Sequence, residues 1–164
     1  MSDLTWQRLK ELLHYDPDSG VFTWRVTRKK CPAGKRSGTQ RSDGYRIISI
    51  DRKNYLESRL AFFYMLEKWP THHIDHRDRD PSNTKWLNLR EATQSQNAMN
   101  SPVRTNNRTG FKGVRRAKQP VGYEAYYFKN GKHVTIGTFP TIEAASTARR
   151  AAVDAAYGEF AHHE

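Results

Sequence analysis

His72-His73-Ile74-Asp75-His76-Arg77-Asp78-Arg79-Asp80 is followed by Asn88-Leu89-Arg90 and then by Gln96-Asn97. His72 to His76 reads as a short strand. Residues 77–86 read as a polar loop holding Pro81, Ser82 and Asn83. Leu87 to Thr93 reads as a second strand, and a helix begins over Ser95 to Asn100. The order is strand, loop, strand, helix within about 30 residues. Asp75 places a carboxylate beside His76 at a strand end, and Asn97 brings an amide 22 residues later. Both offer hard oxygens, which suit Mg²⁺ or Mn²⁺ better than Zn²⁺. A neutral imidazole can take a proton from an attacking water. Metal-assisted phosphodiester hydrolysis needs such a set. Spacing alone leaves the alternative open: an Asp–His pair in a polar loop also serves as a capped turn with solvated charges, and Asn88 and Asn97 also serve as turn or cap residues.

Working outward, Thr5 to His14 carries Leu9, Leu12 and Leu13 at helical spacing. Tyr15 to Gly20 reads as a turn, Val21 to Val26 as a strand, and Tyr45 to Ile50 as another. Asp51 to Asn54 makes a turn into a third strand at Tyr55-Leu56. Ser58 to Trp69 reads as a helix ended by Pro70. Downstream, residues 101–110 contain Val103 as their one aliphatic side chain and read as a linker. The pattern then restarts. Phe111 to Arg116, Tyr123 to Phe128 and His133 to Thr138 read as three strands, with Asn130-Gly131 as a hairpin turn. Thr141 to Tyr157 is Ala-rich and helical, and Gly158 follows it.

The chain has 164 residues and a formal net charge of +11. Hydrophobic residues make up 36%, which argues against one large core, while 12% aromatics argue against a disordered basic tail. Small folded units with basic surfaces fit both figures, and a polyanion is the expected partner. Residues 1–100 hold 18 basic and 12 acidic side chains, and residues 101–164 hold 10 and 5. Each part can therefore meet phosphates independently. Residues 19–42 contain no acid and carry Arg25, Arg28, Lys29, Lys30, Lys35, Arg36 and Arg41. That run is either a solvated loop or a phosphate-contacting one. No run of 18 apolar residues provides a membrane span, and no apolar signal core opens the chain. Cys31 is the single cysteine, which excludes a disulfide scaffold and a thiolate zinc cluster. The expectation is a soluble, intracellular protein with no obligate protein partner.

Ile74-Asp75-His76, with Asp80, Asn83, Trp86, Asn88-Leu89-Arg90, Ala92-Thr93 and Gln96-Asn97, resembles the HNH endonuclease motif of phage and homing-type nucleases. The likeness is close over residues 55–100. Upstream, Val21-Phe22-Thr23-Trp24-Arg25 and Gly44-Tyr45 also fit phage members. The resemblance implies a ββα-metal fold in which two strands and a helix grip one divalent cation, Mg²⁺ or Mn²⁺. It implies His76 as general base, Asp75 and Asn97 as metal ligands, and Asn88 as the residue bracing the loop that holds the base. Related sequences read His-Arg-Leu-Ala-Trp where this chain reads Ser58-Arg59-Leu60-Ala61-Phe62, so a histidine is replaced at 58. Arg77-Asp78-Arg79-Asp80 stands where an Asn-Gly turn is common.

Phe111-Lys-Gly-Val-Arg-Arg116, Tyr123-Glu-Ala-Tyr-Tyr127, Ile136-Gly-Thr-Phe139 and Glu143-Ala144-Ala145 resemble the APETALA-type (ethylene-response-factor) DNA-binding domain. The likeness covers about residues 109–160. It implies a three-stranded antiparallel sheet laid in the major groove and backed by one helix. Lys112, Arg115, Arg116, Tyr126, Phe128 and His133 fall on or near positions that face DNA in that family. Phe128 and Thr135 stand where long basic or aromatic contact residues are common, so the sheet has fewer forked donors.

The expected fold class is α+β: an N-terminal antiparallel sheet with helices, a ββα-metal motif, and a C-terminal three-stranded sheet on one helix. The expected domains are 1–100, with the nuclease core at about 55–100, a linker at 101–110, and a DNA-binding domain at 111–164. The expected function is a metal-dependent endonuclease acting on double-stranded DNA, in a host cytoplasm if phage-encoded. Arg28, Lys29, Lys30, Lys35 and Arg36 are expected to add DNA contacts to those of Lys112, Arg115, Arg116, Tyr126 and His133. The rival expectation is a non-catalytic DNA-binding protein that keeps the scaffold.

Overall fold

The architecture is mixed α+β, with small antiparallel sheets and, among the described residues, four α-helices. The computed structural model describes residues 4–29, 31–103, 105–118 and 121–163, so Lys30 lies outside the described residues. The chain divides into two compact units, residues 1–91 and 92–164.

In the first unit, Thr5 caps helix α1 (Trp6–Leu12), its hydroxyl accepting from Arg8 N at 3.2 Å. Leu13 turns extended and opens strand β1 (Leu13–Asp16), where the buried set changes to Leu13 and Tyr15 at alternating positions. The helix therefore stops earlier than its leucine spacing suggests: Leu13 continues the apolar stripe but joins a strand. β1 pairs antiparallel with β2 (Val21–Trp24), register Leu13↔Trp24 to Asp16↔Val21. Strands β3 (Thr39–Gln40), β4 (Arg46–Ile50) and β5 (Lys53–Leu56) form a second sheet in that order. Helix α2 (Glu57–Leu66) follows directly. It ends before Pro70 is reached, because Glu67 adopts φ 56° and its N–H bonds back to Phe63 O. That frees Trp69 to stack on Phe63, with ring centroids 4.2 Å apart and planes at 13°. Strand β6 (His73–His76), a 3-10 turn at Trp86–Asn88 and strand β7 (Leu89–Ala92) complete this part, β6 and β7 forming a two-stranded sheet.

The core of this unit joins these elements apart from β3, whose two residues are exposed. Leu9, Leu13, Phe22, Ile48, Leu60 and Ala61 are fully buried. Tyr15 packs on Phe22 at 4.7 Å, and Tyr64 meets both rings edge-on at 5.8 Å. Burial of one such side chain stabilises by about 1.5–3 kcal/mol.

The second unit opens with helix α3 (Gln94–Asn100), started by a capping box between Thr93 and Gln96. The hydroxyl of Ser95 accepts from Asn130 N at 2.9 Å. The segment expected as a linker is partly tied down here. Asn107 Oδ1 accepts from Thr109 N and Gly110 N, and Thr109 Oγ1 donates to Val114 O at 2.8 Å. Strands β8 (Val114–Ala117), β9 (Gly122–Lys129) and β10 (Lys132–Phe139) form an antiparallel sheet in the order β10-β9-β8. β8 starts later than the aromatic pattern suggests because Gly113 holds φ +65°, and a Cβ there would lie 2.3 Å from Tyr126 O. Helix α4 (Ile142–Tyr157), capped by Thr141, packs on one face of the sheet through Ala145 and Ile142.

Candidate nuclease site

Asp75 and His76 end strand β6 and are 4% and 3% exposed. An ionised carboxylate so deeply buried requires a partner. Arg90, on the paired strand β7, provides it: its Nε donates to Asp75 Oδ2 at 2.8 Å, and its own side chain is 7% exposed. The pair fixes the carboxylate's orientation at the strand end. Tyr45 lies edge-on to the His76 ring, with centroids 5.9 Å apart. Burial pushes the His76 imidazole below its ordinary value, against the opposing pull of Asp78, Asp75 and Asp80. The shift favours the neutral ring, the form able to accept a proton.

The loop leaving His76 is organised around Asn88. Its Nδ2 donates to Asp78 Oδ1 at 2.9 Å and to Asn83 O at 2.8 Å, and its Oδ1 accepts from Asp78 N at 3.1 Å. Its carbonyl accepts from Arg77 N at 2.9 Å. One amide side chain at the loop's end thus ties down its start and its middle. Asp78 also accepts from Asn83 Nδ2 at 2.5 Å. Partial burial opposes ionisation of Asp78, but hydrogen bonds from Asp80 N, Asn83 and Asn88 outweigh it and hold the carboxyl below the usual range. The Arg-Asp-Arg-Asp sequence makes a sharp bend of its own, with Arg79 at φ 66°.

The β1–β2 hairpin braces this loop from its far end. Tyr15 Oη donates to Thr84 O at 2.6 Å, Thr84 Oγ1 donates to Gly20 O at 2.7 Å, and Trp86 N donates to Pro17 O at 2.9 Å. Gly20 is needed there: a Cβ would sit 2.4 Å from the Thr84 carbonyl carbon. Thr84 also reaches Glu57 Oε2 at 3.3 Å. Glu57, whose side chain is fully buried, lies 3.6 Å from Arg46 Nε and 4.0 Å from Arg36. Burial raises the Glu57 carboxyl, and the two guanidinium groups only partly offset that.

The structure thus gathers Asp75, His76 and Asn88 in one unit. Asn97 is the fourth residue of α3, half-buried, in the second unit. Ser58 is buried in the first turn of α2. His72 and His73 are exposed. In the basic loop, Lys29 and Lys35 are exposed, Arg28 lies over the Trp24 ring at 4.3 Å, and Arg36 faces Glu57. On the second unit, Arg115, Tyr126 and His133 stand together on the open sheet face, and Arg116 is exposed on the edge strand. Lys112 is turned elsewhere, its Nζ donating to Met99 O at 2.7 Å and to Ser101 O. Sequence reading missed Arg90, Thr84, Tyr15 and Glu57 as supports of the site. Only the Arg90 position, one residue from Asn88-Leu89, carried a signal; the others act through tertiary contacts.

Among the described residues no three or more His, Cys, Asp or Glu side chains gather as a metal site. Carboxylate and amide oxygens, the donor types of Asp75 and Asn97, are hard donors that suit Mg²⁺ or Mn²⁺ by their chemistry. Residues 55–99 match the model of the HNH endonuclease family. No curated protein and no solved structure matches the chain. The match begins in β5, runs through α2, β6 and β7, and ends in α3, so it takes in Asp75, His76, Asn88, Arg90 and Asn97.

Proposed function

We propose that the chain, which carries an HNH endonuclease domain at residues 55–99, hydrolyses phosphodiester bonds of double-stranded DNA with a divalent metal, Mg²⁺ or Mn²⁺. The observation that carries the reading is the buried Asp75–His76 pair at the end of β6, beside a loop closed by Asn88. His76 takes the proton of the attacking water, a role its neutral, desolvated ring supports. Asp75, oriented by Arg90, and Asn97 hold the cation through their oxygens. When bound, the cation neutralises charge on the phosphate and on the leaving oxygen. Asn88 keeps the loop, and through it His76, in one geometry.

Residues 111–164 serve in this proposal as an APETALA-type DNA-binding module, with the exposed charges of residues 28–36 adding phosphate contacts. Arg36 and Arg115 already face Glu57 and Glu124, so Lys29, Lys35 and Arg116 are the simpler phosphate ligands. One specific observation favours a second reading, a DNA binder that no longer cuts: Ser58 replaces the histidine of related sequences and is buried. Supercoiled plasmid incubated with Mn²⁺ or Mg²⁺ separates the two. Nicking that EDTA abolishes is the expected result. Retained binding with no cutting in either metal overturns the hydrolytic reading and leaves the second.

A further inference from the structure

The β8–β9–β10 sheet has one face packed by α4 and one face open. Tyr123, Ala125 and Tyr127 alternate with Glu124, Tyr126 and Phe128 along β9, and Ala125 is the fully buried one. The open face collects rings. Tyr126 stacks on His133 with centroids 4.7 Å apart and planes at 26°. Phe128 stands edge-on to His133 at 5.3 Å and to Tyr126 at 6.0 Å. Phe128 is 47% exposed, a large apolar ring facing solvent without a role in the core. The turn beside it carries Lys129 and Lys132, both exposed. Arg115, the arginine whose guanidinium lies over Tyr126 at 5.1 Å, places one terminal nitrogen against both Glu124 oxygens, at 2.9 and 3.1 Å. That arm of its fork is held by Glu124, whereas bidentate guanine readout in a major groove needs both arms.

We infer that this face binds unpaired bases of single-stranded DNA by stacking on Phe128 and the Tyr126–His133 pair, while Lys129 and Lys132 hold the phosphates. A ring platform with flanking lysines suits unpaired bases, whose π-faces are open, better than a duplex edge. Charge agrees: residues 92–164 hold 10 basic against 5 acidic side chains. DNA is the chosen strand chemistry because the chain carries a DNA endonuclease domain. The inference rests on the second unit being the nucleic-acid module proposed above and specifies what it takes.

The full chain in EDTA, which prevents cutting, is titrated into labelled (dT)16 and into a labelled 16-base-pair duplex, read by fluorescence anisotropy. Phe128→Ala is expected to weaken (dT)16 binding roughly tenfold and to change duplex binding less than about twofold. Phe128→Trp, which keeps a stacking surface, is expected to restore it. Lys129→Ala with Lys132→Ala is expected to lower the salt slope on (dT)16 by about 1.4. Equal losses on both probes overturn the stacking inference while the duplex-reading module survives. A preference for (rU)16 over (dT)16 overturns the choice of DNA. Absence of binding to any probe overturns the inference together with the module itself.

Discussion

Arg90 and Asp75 form the buried pair on which the site's geometry depends, and their chemistry predicts an asymmetric response. Arg90→Ala leaves a carboxylate buried without its guanidinium, so about 3–5 kcal/mol of stability is expected to be lost in urea unfolding. Asp75→Ala with Arg90→Ala is expected to lose less than the sum of the single variants, since neither then leaves a lone buried charge. Additive losses would show that the pair is not coupled. Asn88→Ala removes the hydrogen bonds from the end of the 77–88 loop to Asp78 and Asn83. Its expected effect is about 1–3 kcal/mol of stability and a larger fall in plasmid cleavage than in plasmid binding. Equal falls would make Asn88 a folding residue only. At this scale the sequence was informative where a residue's neighbours in the chain are also its neighbours in space. Asp75-His76 and Asn88 could be singled out directly, whereas Tyr15 and Thr84, 69 residues apart, meet only in the fold.

Elements were legible where one signal dominated. The Asn130-Gly131 turn and the Ala-rich helix α4 fall where the pattern puts them, as do β6 and β9 within a residue or two. Differences arise where two signals compete. Leu13 satisfies both the helical stripe of α1 and the alternation of β1, and strand pairing with Trp24 decides. Helix α2 ends at Leu66, because the Trp69 ring is better placed stacked on Phe63 than carried on by the helix. The start of α2 carries a pH signature. Glu57 faces Arg36 and Arg46, with Tyr15 and Thr84 nearby, and burial raises its carboxyl above the unfolded value. A raised acid binds its proton more tightly when folded, so ionisation opposes folding at neutral pH and that cost is relieved as pH falls. Glu57→Gln is therefore expected to gain stability relative to the parent as pH rises past the ordinary glutamate value of about 4.3. Chemical denaturation across that range checks it. A gap that widens as pH falls would contradict the assignment.

At the scale of the whole molecule, charge is the dominant feature, and no helix is long and apolar enough to cross a membrane among the described residues. A net charge of +11 spread over both units predicts duplex binding that weakens steeply with salt, with a log–log slope steeper than about −4. A slope near −1 would mean that few phosphates are touched. The α+β class and the order strand, strand, helix over residues 73–100 were legible, because that order is local in sequence. The division of the chain at 91/92 was not, because the polar segment 101–110 looks like a boundary while Thr109 ties it to Val114 of β8. The central claim is that His76 is the base of a metal-dependent cleavage reaction. The rate at which His76→Ala relaxes supercoiled plasmid in Mg²⁺ or Mn²⁺, set beside the parent chain at equal DNA occupancy, tests it most directly. A loss of about 100-fold or more with binding in EDTA preserved is the predicted result, and an unchanged rate would contradict it.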